Sequence, residues 1–124
     1  MAMNLIAIFV GGGLGSLARF AVSMLFLSRF KSYLPWGTIV ANALACIILA
    51  IVFIRFNEVD MERPLLKPLL IIGFCGGFST FSTFSYETIE LIRSGNTIYA
   101  VANVFISLVL CMGLIYIAQK VFTP

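Results

Sequence analysis

Phe78, Phe81 and Phe84 recur at every third position, and Ser79, Thr80, Ser82, Thr83 and Ser85 fill the places between and after them. An aromatic ring has a positive edge, so a ring presented edge-on attracts an anion without the tight grip of a cation. Hydroxyls alongside can take the place of water around a small solute. A stripe of aromatics at this spacing is ordinarily a packing surface, yet packing alone has no need of five hydroxyls. The Gly76-Gly77 pair precedes the run and Glu87 closes it, all within an apolar stretch. Lipid offers no hydrogen bonds, so such a segment is tolerated only when buried in protein or lining a wet path.

Other polar groups sit inside the apolar stretches. Arg19 lies eight residues from the end of the first, too deep for an end anchor. A buried Arg costs about 2.5–3.5 kcal/mol on insertion scales, so something must offset it. It either draws an anion into a vestibule or is held structurally, by snorkelling or by pairing with Glu87. Thr38 and Asn42 are four apart and share a helix face. The Asn42 amide offers two N–H donors, fit either for an anion or for a bond between helices. Asn103, Ser107 and Cys111 also recur every four residues, as a donor track or as glue.

Gly11-x-x-x-Gly15 is a surface for close helix packing. It is not a phosphate loop, which needs a preceding strand and a following Lys-Ser/Thr. The chain has no histidine, and no triad, carboxylate pair or ligand cluster, so an enzyme is not expected. Cys46, Cys75 and Cys111 all fall in apolar stretches without a CxxC, and read as small core residues rather than as a disulfide or zinc site.

The elements that must position these groups follow from composition. Of 124 residues, 61% are hydrophobic and 10% charged, too few charges for the surface of a soluble domain. The expectation is one all-α membrane domain over 1–124, in the lipid bilayer, with spans at about 4–27, 36–54, 65–92 and 97–121. Each is long enough to cross ~30 Å of hydrocarbon at ~1.5 Å per residue. The N-terminus lacks the basic flank of a signal peptide, so the first stretch is expected to stay as a span. Trp36 reads as an interface anchor. The third stretch is longer than it need be, which suggests a helix broken at Gly76-Gly77, near mid-membrane.

The connections are short: Ser28–Pro35, a polar Arg55–Pro64 loop and Arg93–Asn96. Four spans put both termini on one side, with Arg55, Arg63, Lys67 and Lys120; Arg29, Lys31 and Arg93 lie opposite. Four against three gives almost no bias, so the chain is expected to insert both ways up and to permit an inverted homodimer, unless the balance is chance. The net charge of +3 lies at span ends rather than in a patch, and no nucleic-acid partner is indicated.

The motif GFCGGFSTFSTFSYE (73–87), with GGGLGSLARF (11–20) and PWGTIVAN (35–42), closely resembles the CrcB/Fluc family of small fluoride channels. The resemblance covers all four spans. It implies an antiparallel, dual-topology homodimer with two fluoride pores and a central structural sodium ion. The function it implies is passive export of cytoplasmic fluoride across the inner (plasma) membrane, hence resistance to its toxicity. By motif, Phe81 and Phe84 resemble the pore aromatics, Asn42 the pore-lining amide, and Ser82 and Thr83 the hydroxyls of the pore wall. Ser107 and Cys111 fall where members carry polar track residues, Glu87 matches the acid near one pore end, and Arg19 the vestibule arginine. Cys111 departs from the pattern, since a thiol donates more weakly than a hydroxyl; Ala41, where members commonly carry Val or another apolar residue before the Asn, is a neutral change. Carbonyls left over at a break could meet at the axis of an inverted dimer. The resemblance puts the sodium on those of Gly76 and Ser79.

Two competitors belong to other classes. A small multidrug exporter is similar in size and topology but needs a carboxylate in span one, where this chain has only Arg19. A packing subunit of a larger complex would pass no fluoride in liposomes.

Overall fold

The computed structural model describes residues 1–56 and 63–122, and all regular structure among them is helical. Helix α1 runs Ala2–Arg29 and α2 Trp36–Phe56. The third span opens on a π-helical segment, Pro68–Cys75, continues into the short α3, Gly76–Phe78, and resumes as α4, Phe81–Arg93. Helix α5 runs Thr97–Phe122. Four helical stretches are thus long and apolar enough to cross a membrane. Most of the expected Arg55–Pro64 loop, residues 57–62, lies outside the described residues; Arg55 itself belongs to α2.

Helix α2 is the centre of the bundle. In its most apolar window 44% of residues are buried, against 11% for α1 and 17% for α5. Its small residues make this possible: Ala41 and Ala45 pack on Phe78, with Ala18, Val22, Ile48 and Phe74 around them. Large side chains of α1 and α5 such as Phe9, Leu17, Phe20, Phe105 and Met112 face outward. In water such a surface would aggregate; in a bilayer lipid or a second chain covers it.

Between α1 and the third span the contact is backbone on backbone. A methyl group at Gly11 would collide with the Leu69 carbonyl, at Gly15 with the Phe74 carbonyl, and at Gly77 with the Gly12 carbonyl. The GxxxG face is therefore the packing surface its spacing predicts, and Gly77 is its counterpart on the other helix.

The expected interruption at Gly76-Gly77 is corrected by this geometry. Gly76 has helical dihedrals (φ −64°, ψ −36°), and the helical path is left at Ser79 (ψ 157°) and Thr80 (φ −152°, ψ 121°). Glycine weakens a helix by only ~1 kcal/mol, and here Gly77 serves the close approach of α1. The interruption falls instead where side chains take over the backbone groups. Ser79 Oγ returns a bond to the Cys75 carbonyl at 2.8 Å. Thr80 caps α4, its Oγ1 accepting the Thr83 N–H at 3.2 Å. At the other end of α4 the chain turns on Gly95, whose left-handed φ of 81° favours glycine. The N–H groups of Gly95 and Asn96 bond back to the carbonyls of Ile92 and Leu91, closing the helix in a Schellman turn.

Candidate functional site

Asn42 acts directly on the extended pair. Its Oδ1 accepts the Thr80 N–H at 2.7 Å and its Nδ2 donates to the Thr80 carbonyl at 3.2 Å. A continuous helix would give that N–H to the Gly76 carbonyl; here the side chain of α2 takes both polar groups of one peptide residue. The bond between helices weighed for Asn42 is thus real, and it occupies one of the two amide hydrogens.

Beside this clamp lies a cavity of about 240 Å³, lined by Asn42, Cys46, Ser79, Thr80, Phe81, Phe84, Ser107, Leu108 and Cys111. The Phe81 and Phe84 rings are 5.7 Å apart between centroids and inclined by 40°. Phe78 is separated from them by the extended pair and is only 4% exposed, whereas Phe81 is 79% exposed. The apparent stripe of three aromatics is therefore one core residue and two residues on an open cavity.

Ser107 is buried and donates to Asn103 Oδ1 at 3.3 Å. Asn103, wholly buried, donates to Thr88 Oγ1 at 2.9 Å, and Thr88 donates to the Phe84 carbonyl at 2.7 Å. This chain of bonds ties α5 to α4 and ends on the Phe84 carbonyl. Of the polar stripe on α5, Asn103 serves as glue, while Ser107 and Cys111 reach the cavity.

Several expected residues lie elsewhere. Ser82 and Thr83 are exposed and off the cavity, with their hydroxyls bonded to Thr80 Oγ1 at 3.3 and 3.1 Å. Glu87 faces two other cavities, of about 180 and 430 Å³, at the end of the bundle where Tyr33 and Pro35 lie. Its Oε1 accepts from Thr38 Oγ1 at 2.8 Å, and its Oε2 is buried without a hydrogen-bond partner. No ion pair joins it to Arg19 among the described residues, so the pairing weighed for Arg19 is not made within one chain; the hydroxyl of Thr38 takes that place. Arg19 is half-buried on α1 and lines none of these cavities. Gly76 is exposed, with nothing within 4 Å of where a side chain would begin.

Residues 6–119 match the family described as CrcB-like protein, Camphor Resistance (CrcB). The chain belongs to this CrcB family. Among similar proteins, the fluoride-specific ion channel FluC of Escherichia coli (strain K12) is 42% identical over 108 residues, which cover 87% of this chain and 84% of that protein. Channels of the same name from Salmonella arizonae, 43% identical, and Serratia proteamaculans (strain 568), 38% identical, match over the same shares. These are names of an ion channel, not of an enzyme.

Two contributors to the site in this CrcB chain were given no role of their own from sequence. Thr80 organises it, as a helix cap and as the residue gripped by Asn42; the signal was a Thr immediately before a new helical run. Cys46 lines the cavity, and its place one turn after Asn42 was the cue.

Proposed function

We propose that this chain is a passive fluoride channel, selective for that ion, which exports it from the cytoplasm across the inner membrane. One observation carries the reading: two phenylalanine rings, an amide and a buried serine meet on one cavity, in a chain whose relatives bear the name of a fluoride channel. Fluoride that enters as neutral HF dissociates in the cytoplasm and leaves as the ion. The ion must shed water, and the cavity offers replacements. The second amide hydrogen of Asn42 is one; the Ser107 hydroxyl, held only by a 3.3 Å bond, can exchange toward an anion. The edges of Phe81 and Phe84 attract without holding, as conduction requires. Arg19 draws anions into the vestibule, and Glu87 marks one end of the path.

The functional unit in this reading is an inverted homodimer, with two pores related by its twofold axis. The exposed Phe81, Ser82 and Thr83 then face the second chain, which completes each pore wall. The extended Ser79-Thr80 pair is the mid-membrane break of the third span and lies at the dimer axis. A sodium ion there fits the donor set. The Gly76 carbonyl has lost its helical partner to Asn42, the residue is exposed, and oxygen ligands suit a hard cation. Carbonyls of Gly76 and Ser79 would hold the ion, which supplies a structural link between the subunits.

The direct test is efflux from liposomes, read with a fluoride electrode against a chloride control. Rapid fluoride loss with chloride retained is expected; equal flux of both would end the selectivity claim, and no fluoride flux would favour a packing subunit. For topology, a single cysteine placed in the 28–35 loop of a cysteine-free variant should be labelled from each side in about half the molecules. Labelling from one face only would reject the inverted pair. Rigorous removal of sodium, with potassium also absent, should weaken the dimer or abolish flux. Full activity and dimer stability under those conditions would dispose of the cation site.

A further inference from the structure

Two thiols line the aromatic cavity. Cys46 lies one turn beyond Asn42 on α2, and Cys111 one turn beyond Ser107 on α5, so each pair shares a helix face. Both cysteines are unbridged, and they come from two helices that pack on each other, so the thiols line the same cavity wall to wall. Among the described residues no group of three His, Cys, Asp or Glu side chains is disposed to hold a metal, which excludes the usual four-ligand zinc site. Two opposed sulfurs suit a different ion, a soft one that accepts two ligands in line.

We propose that Cys46 and Cys111 form a two-coordinate mercury(II) site whose occupation obstructs the cavity between Asn42, Phe81, Phe84 and Ser107. Two S–H bonds break, two S–Hg bonds form and two protons leave to solvent; no electrons are transferred. Charge selects mercury(II) over silver(I) or copper(I). Two thiolates with a divalent ion make a neutral unit, whereas a monovalent ion would leave a net negative charge inside the membrane. The obstruction rests on the channel reading; the binding does not.

The test uses full-length protein in detergent and in liposomes, with mercury(II) chloride as the probe. Binding is followed by the ultraviolet absorption of the mercury–thiolate bonds, and affinity by competition with a monothiol. One ion per chain is expected in the wild type and in Cys75→Ser, with silver(I) held more weakly. Cys46→Ser or Cys111→Ser should each weaken binding about a hundredfold, because the second sulfur acts at high effective concentration; alanine variants serve if serine disturbs folding. Equal affinity in either variant, or dependence on Cys75, would overturn the site. In liposomes, one equivalent should stop fluoride efflux, and a dithiol chelator should restore it. Each serine variant, compared with its own untreated rate, should resist. Binding that leaves efflux unchanged would overturn the obstruction. Absence of efflux from untreated wild type would instead remove the channel reading, while the absorption measurement still decides the thiol site.

Discussion

Fluoride efflux through the doubly substituted Phe81→Ile, Phe84→Ile protein should fall about a hundredfold while the bundle stays folded. Isoleucine retains bulk and apolar surface but has no positive edge. An edge-to-face aromatic pair is worth about 0.5–1.5 kcal/mol beyond its buried area; a gain of that size at each ring edge toward the ion makes up to about 3 kcal/mol, or two powers of ten in rate. Stability should change far less. Phe81 is mostly exposed, its ring 5.7 Å from that of the half-buried Phe84, and isoleucine keeps the apolar bulk at both places. Phe78 supplies the contrast: buried against Ala41 and Ala45, it should tolerate Phe78→Leu without loss of selectivity but at a cost in thermal stability. Efflux and thermal unfolding measured on the same preparations separate the two outcomes. Normal efflux from folded double-isoleucine protein would return Phe81 and Phe84 to packing.

Asn42→Asp should lose both throughput and stability. The carboxylate keeps an acceptor for the Thr80 N–H but turns a second oxygen toward the Thr80 carbonyl, where the amide now donates at 3.2 Å. Repulsion replaces a bond, and a charge within a span costs a further ~2.5–3.5 kcal/mol on insertion scales. The amide hydrogen proposed for fluoride disappears as well. Asn42→Ala tells the clamp from the charge, since it removes both Thr80 contacts without adding an anion. If either variant conducts normally and unfolds at the wild-type temperature, Asn42 neither holds the extended pair nor serves the ion.

The four spans were legible because a bilayer imposes one crude demand, an apolar run of sufficient length, and 61% hydrophobic residues meet it conspicuously. The close packing of Gly11 and Gly15 was equally readable, since small residues at that spacing have few other uses. The position of the interruption was not. Glycine advertises weakness, but in lipid a helix ends only where something else satisfies its backbone, and that something is Asn42, distant in sequence from Thr80. The same reason hid the division between Phe78 and its two neighbours, which depends on where the backbone turns extended. Glu87 was noticed, but its contact with Thr38 in place of Arg19 is a matter of how α2 lies against α4. Cys46 looked like any small core residue until α5 placed Cys111 opposite it.

The glycine seam between α1 and the third span also governs which parts of the molecule can breathe. Where main chain rests on main chain there are no side-chain rotors to absorb a displacement, so the two elements must travel as one plank. Compliance is left to the far side, where α5 is fastened to α4 by the Ser107, Asn103 and Thr88 hydroxyl and amide relay. Those bonds can be exchanged one at a time, whereas at Gly77 the main chain lies so close to the Gly12 carbonyl that not even a methyl group fits between them. Amide exchange should accordingly be slowest along the plank and faster along α5. The cavity lies away from the glycine seam, between α2, α4 and α5, so it can widen for a passing ion on the yielding side without the bundle losing its shape.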